Sequence, residues 1–189
     1  MPIIQSTYKP LDFTGERMVP EHTPANVFWE HFYRYRFATR FVKDKRVLDI
    51  ACGEGYGTAA LKNAGTASII GIDVSQEACE HAQAKYGIDA RIGQAENIPL
   101  PSQSVDVIVS FETIEHIERP EAFIAECVRL LVSGGILIIS TPNREVHGEE
   151  GSGNPFHCSE MTEEEFVSLL SSRFSLQTYL LSYNRTISI

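Results

Sequence analysis

The spacing of apolar residues changes along the chain at about residue 45. Before that point, residues 26–42 place apolar side chains such as Phe28, Phe32 and Tyr35 on one face of a predicted helix. After it, short apolar runs alternate with amphipathic stretches, which is the pattern of strands that alternate with helices. Strands are predicted at residues 46–51, 68–72, 90–93, 105–110, 136–140, 174–181 and 186–189.

The helices between these strands have predictable ends. Ser75 is placed to cap the helix that follows the second strand, and Gly87 is placed to end it. Pro120 opens a later helix, which we expect to end at the glycine pair 134–135.

Alternating strands and helices predict an α/β fold: a Rossmann-like, mostly parallel central sheet of about seven strands with helices on both faces. The chain has 189 residues, the size of one domain. We divide it into an N-terminal lid and helix, residues 1–42, and a core, residues 45–189. Ligands of such sheets bind beyond the carboxyl ends of the strands, so the functional residues are expected just after each strand.

Composition and charge narrow the class of protein. Apolar residues make up 43% of the chain and charged residues 22%, which is typical of soluble globular proteins. The net charge of −9 argues against a broad nucleic-acid-binding surface, which requires Lys and Arg. The four cysteines form no C-x-x-C pair, and we expect Cys52, Cys79 and Cys127 to be reduced and buried. Without a recognisable signal peptide or membrane span, the expected location is the cytoplasm.

The segment VLDIACGEGYGTAAL, residues 47–61, is the strongest candidate for a ligand-binding turn. Its G-x-G-x-G run begins at Gly53 and lets the backbone turn sharply and approach a ligand closely. Thr58 occupies the third-glycine position of the dinucleotide-binding pattern. Asp49 would repel a pyrophosphate but suits a cation, such as the ammonium group of a methionine moiety. A simple tight turn is the alternative.

A second acidic residue follows the second strand. Asp73 lies 20 residues after Gly53, close to the spacing at which a carboxylate accepts the hydroxyl groups of a ribose. Val74 comes next and is placed to lie against a purine ring. Helix capping is the alternative role for Asp73.

Four segments in this order resemble class I S-adenosylmethionine-dependent methyltransferases of the small-molecule type: VLDIACGEGYG, GIDVS, GQAENIPLPSQSVDVIVSFETIEHI and LLVSGGILIISTPN. The resemblance covers about residues 45–175 and rests on several ordered motifs rather than on one. It implies S-adenosyl-L-methionine as the cofactor, S-adenosyl-L-homocysteine as the product, and a small-molecule methyl acceptor.

The resemblance also implies where the cofactor is bound. Gln94 is a departure, because many relatives have Asp at this position near the adenine amino group, although a Gln side-chain oxygen can accept the same bond. The implied contacts are the methionine end at Asp49, Ala51, Gly53 and Gly55, the ribose at Asp73, the adenine at Ala95 and Glu96, and the sulfonium region at Ser110 and Phe111.

The methyl acceptor is expected beyond the fourth and fifth strands, beside residues 111–116. His116 is the candidate catalytic base, because an imidazole can take a proton near neutral pH. A histidine that caps the loop or contacts the cofactor is the alternative. Methyl transfer from a sulfonium can also rely on orientation of the reactants with water excluded.

We assign no metal ligand from the sequence. One alternative stays open, because Glu112, Glu115 and His116 form E-x-x-E-H and His157 follows in NPFH. Together these side chains could hold Mg²⁺ or Mn²⁺ and orient an acceptor hydroxyl. The segment 147–158 around His157 is predicted to be an active-site loop.

The N-terminal stretch FTGERMVPE is predicted to form a lid, in which Arg17 could contact the cofactor or the acceptor, as could Tyr35. The alternatives are a surface ion pair for Arg17 and helix packing for Tyr35. The T-G-E-R-x-x-P run resembles methyltransferases that accompany bacterial surface-polysaccharide glycosyltransferases, which implies a sugar as acceptor. The chain ends at residue 189, earlier than such relatives do, so we expect a short or truncated member.

The sequence therefore predicts an enzyme that transfers a methyl group from S-adenosylmethionine to a small or medium acceptor, with a hydroxyl group as the expected target. We expect no nucleic-acid partner and no membrane span, and the oligomeric state stays open. The rival interpretations are a non-catalytic module that binds a cofactor or a partner, and an NAD-dependent oxidoreductase. Asp49 and the missing third glycine count against the oxidoreductase.

Overall fold

The computed structural model describes residues 18–19, 22–145, 156–175, 178–181 and 185–188, with side chains described up to residue 175. Arg17, most of the predicted lid and residues 146–155 of the predicted active-site loop lie outside the described residues.

A seven-stranded sheet forms the centre of the molecule. The strands are β1 (Arg46–Ile50), β2 (Ser68–Asp73), β3 (Asp89–Ile92), β4 (Val105–Phe111), β5 (Leu131–Pro142), β6 (Thr178–Leu181) and β7 (Arg185–Ser188). They lie in the order β3-β2-β1-β4-β5-β7-β6. The neighbours from β3 to β5 are parallel, whereas β7 is antiparallel to β5 and β6. The predicted Rossmann-like, mostly parallel sheet is confirmed.

Helices precede β1, connect neighbouring parallel strands and follow β5. They are α1 (Ala25–Ala38), α2 (Tyr56–Asn63), α3 (Gln76–Tyr86), α4 (Pro120–Leu130) and α5 (Glu163–Ser171), with a short 3₁₀ helix at Ile114–His116. The predicted ends of α3 are confirmed, because the Ser75 hydroxyl accepts a bond from the Ala78 N–H and Gly87 ends the helix with a φ of 62°.

The end of α4 differs from the prediction. The helix ends at Leu130 rather than at the glycine pair 134–135, and β5 begins directly at Leu131. The side chain of Leu131 is buried in the core and its backbone pairs with Val105. A strand that begins at this residue therefore adds to the sheet and to the core. The glycines then lie inside the strand, where its register with β4 shifts and Gly134 has a φ of 76°.

Apolar side chains cover both faces of the sheet, as the near-continuous apolar strands predict. Alternate residues of one strand point to opposite faces: Leu48 belongs to one cluster and Val47 to the other. The first cluster includes Phe123 of α4 and Phe166 of α5, and the second includes Tyr35 of α1. The helices therefore hold the carboxyl ends of β1, β2 and β4 in fixed positions at one edge of the sheet.

Two further observations concern the environment of the chain. Cys52, Cys79 and Cys127 are buried free thiols, as expected, and Cys158 is an exposed one. Among the described residues, no helix combines the length and the apolar character that crossing a membrane requires.

Candidate active site

A cavity of about 490 Å³ opens at the carboxyl ends of β1, β2 and β4, where the topology predicts a ligand site. The structure brings most of the predicted cofactor residues together in its wall. Asp49, Gly55 and Ser110 are buried and lie behind the wall instead. The predicted residues that line the cavity are Ala51, Gly53, Asp73, Val74, Ala95, Glu96 and Phe111.

The turn after β1 has an unusual backbone. Ala51, Gly53 and Gly55 have φ angles of 59°, 53° and 93°. Such angles are uncommon for alanine, and strained residues of this kind concentrate at functional sites. At Gly55 a β-carbon would lie 2.6 Å from that of Ala82 in α3, so the absence of a side chain lets the turn pack closely on this helix.

Gly57 makes room for Tyr35. A β-carbon at Gly57 would lie 2.0 Å from Cζ of Tyr35, so the tyrosine ring rests directly on the first turn of α2. The ring also packs edge-on against Phe111 at 5.0 Å and against Tyr56 at 5.5 Å between centroids. Tyr35 therefore has the helix-packing role that was one of its two interpretations, and part of it also lines the cavity.

Asp49 lies beneath this turn. Its side chain is fully buried and accepts hydrogen bonds from the Thr58 hydroxyl at 2.5 Å and the Tyr35 hydroxyl at 3.2 Å. Burial raises the pKa of Asp49 to about 7, because desolvation of the carboxylate outweighs the two bonds that favour its charged form. A positive group bound nearby would favour the ionised form.

Asp73 joins the two turns that border the cavity. One carboxylate oxygen accepts the N–H of Gly53 at 2.8 Å, and the other accepts the N–H of Ser75 at 2.9 Å. Each oxygen retains a lone pair for a further donor. The carboxylate is thus held in one orientation at the cavity wall, and the helix-capping side chain at this position is Ser75 rather than Asp73.

The next part of the wall suits an aromatic ring. Val74 is 71% exposed although it is apolar, and it lies on the cavity. Gln94, Ala95 and Glu96 line the same region. An apolar face beside a few polar groups is the usual lining of a small-molecule site.

At the other end of the cavity, Glu112 has a φ of 52° and a carboxylate held by side chains. The Ser140 hydroxyl donates to it at 2.8 Å, and Arg34 of α1 lies 3.4 Å away. Arg34 is 3% exposed. Our sequence reasoning missed this arginine, because it belongs to no motif and meets Glu112 only through the packing of α1.

His116 lines the cavity near Glu112. Its ring lies 4.8 Å from that of His157, between centroids, and Glu115 completes a group of possible metal ligands. Three of the four residues considered as metal ligands are thus brought together. Glu112 is not among them and instead contacts Arg34 and Ser140.

A second missed feature lies behind the glycine turn. Glu54 is 1% exposed and contacts His81 at 2.9 Å and Lys85, both on α3. This buried contact ties the turn to α3. No sequence spacing identified it, since the partners are far apart along the chain.

Comparisons with known proteins identify the family to which this chain is similar. Residues 48–139, which include most of β1, the turn after it, Asp73 and the segment 111–116, match the sequence family described as a methyltransferase domain. The chain is 36% identical over 166 residues to a probable S-adenosylmethionine-dependent methyltransferase of Mycolicibacterium smegmatis, covering 86% of this chain and 64% of the relative. The chain contains a class I S-adenosylmethionine-dependent methyltransferase domain.

Other relatives of this methyltransferase domain differ in what they are named for. A ubiquinone biosynthesis O-methyltransferase of Parvibaculum lavamentivorans is 36% identical over 119 residues, covering 60% of this chain and 47% of the relative. A solved structure of a Pyrococcus horikoshii protein has the same fold, with a TM-score of 0.77, 17% identity, and coverage of 90% of this chain and 94% of that chain. The chain thus spans about half to two thirds of the length of the two curated relatives.

These findings confirm the predicted family and fold class, and the names of the relatives support S-adenosylmethionine as the cofactor. The matching family and the curated relatives are named as methyltransferases, not as NAD-dependent oxidoreductases. The individual site residues and the acceptor stay predictions.

Proposed function

We propose that this chain binds S-adenosyl-L-methionine in the cavity and transfers its methyl group to a hydroxyl oxygen of a small or medium acceptor. The observation that carries this proposal is Asp73, whose carboxylate is fixed by two backbone N–H groups beside the glycine turn. The family match supports the cofactor class. We further propose one domain, with its core at residues 45–189, that acts in the cytoplasm.

We assign the cofactor contacts from one end of the cavity to the other. The methionine end lies at the turn with Ala51 and Gly53, above the buried Asp49. The ribose hydroxyls donate to Asp73. The adenine lies between Val74 and the segment 94–96, and the sulfonium lies near Phe111, with Gly55 and Ser110 supporting the wall from behind.

In the proposed reaction, the acceptor oxygen attacks the methyl carbon in line with the carbon–sulfur bond. That bond breaks with its electron pair on sulfur, which leaves neutral S-adenosyl-L-homocysteine. The hydroxyl proton passes to the imidazole of His116, which lines the cavity at the acceptor end. Orientation of the reactants and exclusion of water contribute the rest of the acceleration.

The acceptor class is the finer part of the proposal. The N-terminal T-G-E-R-x-x-P run resembles methyltransferases that accompany surface-polysaccharide glycosyltransferases, and this resemblance supports a sugar hydroxyl. The name of the Parvibaculum relative supports a different hydroxyl, that of a ubiquinone precursor. We propose the sugar hydroxyl and treat the hydroxyl of a ubiquinone precursor as the competing class.

The first experiment is calorimetric titration of the purified 189-residue chain with S-adenosyl-L-homocysteine, with NAD as a parallel ligand. We expect saturable binding of S-adenosyl-L-homocysteine and no binding of NAD.

A second experiment measures the turnover of S-adenosyl-L-methionine with sugar nucleotides and with catechols as acceptors. Binding without turnover on either panel would favour the non-catalytic module, and faster turnover of catechols would overturn the sugar assignment.

A further inference from the structure

A group of metal-ligating side chains lies at the acceptor end of the cavity. Glu115, His116 and His157 each offer one ligand atom, and these atoms lie within 4.8 Å of one another. Glu115 is 1% exposed and accepts a bond from the Thr141 hydroxyl at 3.1 Å. A cation bound beside a buried carboxylate favours its charged form, so Glu115 suits the role of a metal ligand.

The hydrogen bond of His116 decides which ring nitrogen can bind a metal. Its Nδ1 lies 3.0 Å from the carbonyl oxygen of Phe156. A carbonyl oxygen can only accept, so Nδ1 carries the proton and donates. In the neutral ring the lone pair is then on Nε2, the form in which histidine binds metals.

His157 is oriented in the same way by a carboxylate. Its Nδ1 is in short contact with Glu160, an acceptor when ionised. A metal-binding histidine usually donates its other ring N–H to a carboxylate or a backbone carbonyl. The two histidines show one example of each arrangement, which is an observation independent of their closeness to Glu115.

The segment that carries His157 is also fixed in place. The backbone N–H groups of Cys158 and Ser159 donate to the carbonyl oxygen of Glu115 at 2.9 Å and 3.0 Å. The Ser159 hydroxyl adds bonds to the carbonyl oxygens of Ile114 and Ile117 at 2.9 Å and 2.8 Å. His157 is therefore held beside His116 before any ligand binds, as a functional site requires.

We propose that Glu115, His116 and His157 bind one divalent transition-metal ion, with Zn²⁺ as the reference ion. Two imidazole nitrogens and one carboxylate oxygen suit Zn²⁺ and its neighbours, whereas Mg²⁺ prefers an all-oxygen set. The proposal departs from our sequence-based assignment of no metal. It also departs from the Mg²⁺ or Mn²⁺ alternative, which included Glu112.

The geometry needs only a small adjustment. Tetrahedral ligands about 2.1 Å from Zn²⁺ are about 3.4 Å apart, so small rotations of the side chains would bring these three atoms into range. Three protein ligands leave a fourth position open, and His116 is on the cavity wall. An acceptor hydroxyl bound there would lose its proton more readily.

This last role rests on the proposed methyl transfer, whereas metal binding by itself does not. With an ion bound, His116 is a ligand and cannot also accept the hydroxyl proton. The metal titration below therefore decides between its two roles, and it is done without S-adenosylmethionine or acceptor, so its failure is distinct from failure of the proposed function.

The test uses the 189-residue chain after chelator treatment and dialysis. Zn²⁺ is titrated by calorimetry, Co²⁺ by visible absorption, and Mg²⁺ as the comparison ion. We expect one equivalent of Zn²⁺ or Co²⁺ to bind and no competition from millimolar Mg²⁺. His157→Ala and Glu115→Gln should each weaken Zn²⁺ binding at least about 100-fold, and Glu160→Gln about tenfold.

Three matched controls separate this site from others. Glu112→Gln removes the neighbouring carboxylate, Cys158→Ser removes the adjacent thiol, and His22→Ala removes an exposed imidazole before α1. Each should bind Zn²⁺ like the unchanged chain. Since Glu115 is buried, its variant counts only if thermal unfolding shows it folded; His157→Ala, at a partly exposed position, otherwise carries the test.

Several outcomes would overturn the proposal. They are the absence of saturable Zn²⁺ and Co²⁺ binding, binding that survives His157→Ala in full, and binding that is lost in Cys158→Ser. Loss in Glu112→Gln would overturn the stated ligand set.

Discussion

The two ends of the cavity are held together in different ways. At the end that we propose binds the cofactor, here called the cofactor end, backbone groups fix a carboxylate: Gly53 and Ser75 donate their N–H groups to Asp73. At the acceptor end, side chains and loops from distant parts of the chain fix one another, as Glu112 and Arg34 do across 78 residues. The first arrangement belongs to the strand-and-turn geometry itself, whereas the second depends on how separate elements pack.

This difference predicts separable functions. Contacts made by the backbone of a parallel sheet change little when a side chain elsewhere is replaced. Contacts between side chains of α1, β5 and the segment 156–160 can be altered without moving the cofactor end. Substitutions should therefore sort into those that affect cofactor binding and those that affect only the acceptor end.

The largest expected effect is that of Asp73→Ala. It removes the acceptor for the ribose hydroxyls and also two bonds that orient the turns. We expect the affinity for S-adenosyl-L-homocysteine to fall at least about 100-fold, since charge-assisted bonds contribute about 1.5–3 kcal/mol each. Calorimetry checks this, with Asp89→Ala, an exposed aspartate on β3, as the control. Near-normal affinity would remove Asp73 from the site.

The next effect concerns stability. Gly57→Ala places a β-carbon 2.0 Å from the Tyr35 ring, which is buried and cannot move freely. Overpacking of this kind lowers the free energy of unfolding by about 1–3 kcal/mol. Denaturant titration measures it. The control repeats Gly57→Ala in a chain that already carries Tyr35→Ala, where the ring is absent. If Gly57→Ala lowers the free energy of unfolding equally in both chains, the clash is not the cause of the loss.

A smaller effect is the pH dependence of cofactor binding. Because burial raises the pKa of Asp49 to about 7, its ionised fraction rises from about 0.1 at pH 6 to about 0.9 at pH 8. If the ionised form attracts the ammonium group, the affinity for S-adenosyl-L-homocysteine should rise up to about tenfold over this range. Asp49→Asn should give a flat profile, and an equally steep profile in that variant would assign the titration to another group.

The raised pKa of Asp49 has the opposite sign for stability. The folded protein holds a proton between about pH 4 and pH 7 that the unfolded chain releases. The stability from this group is therefore complete below about pH 4 and is lost as the pH rises through 7. Comparison of the unfolding free energies of the unchanged chain and Asp49→Asn across this range checks the direction.

The smallest expected effect tests the separation itself. His157→Ala should change the affinity for S-adenosyl-L-homocysteine less than about twofold. His157 contacts Glu160 and His116 at the acceptor end, away from the residues proposed to bind the cofactor. A tenfold change would show that the two ends of the cavity are coupled.

The same contrast explains what could be predicted from sequence. The glycine turn and the carboxylate of Asp73 follow strands, and their spacing along the chain reflects the geometry of one β-α-β unit. The strands and most helix ends were predictable for the same reason. Asp49 was predicted as a cofactor residue, but its complete burial beneath the turn depends on Tyr35, which comes from another element.

The acceptor end was less predictable because its contacts join distant residues. Local spacing grouped Glu112 with Glu115, yet the positive φ at Glu112 and its contact with Arg34 separate the two. The early end of α4 has a similar origin, since pairing of Leu131 with Val105 overrides the helix-ending preference of the glycines. Long-range pairing of this kind leaves no periodic pattern in the sequence.

The anchored segment at Cys158 and Ser159 has a consequence for protein engineering. Its bonds to the 3₁₀ helix, together with the bond from the N–H of Arg144 to the carbonyl oxygen of Met161, fix the chain on both sides of residues 146–155. Because the flanking residues are held by hydrogen bonds, the sequence of this segment can be replaced without changing the residues on either side. Libraries that vary only these ten positions would test the predicted active-site role of this segment while the described residues of the cavity wall stay unchanged.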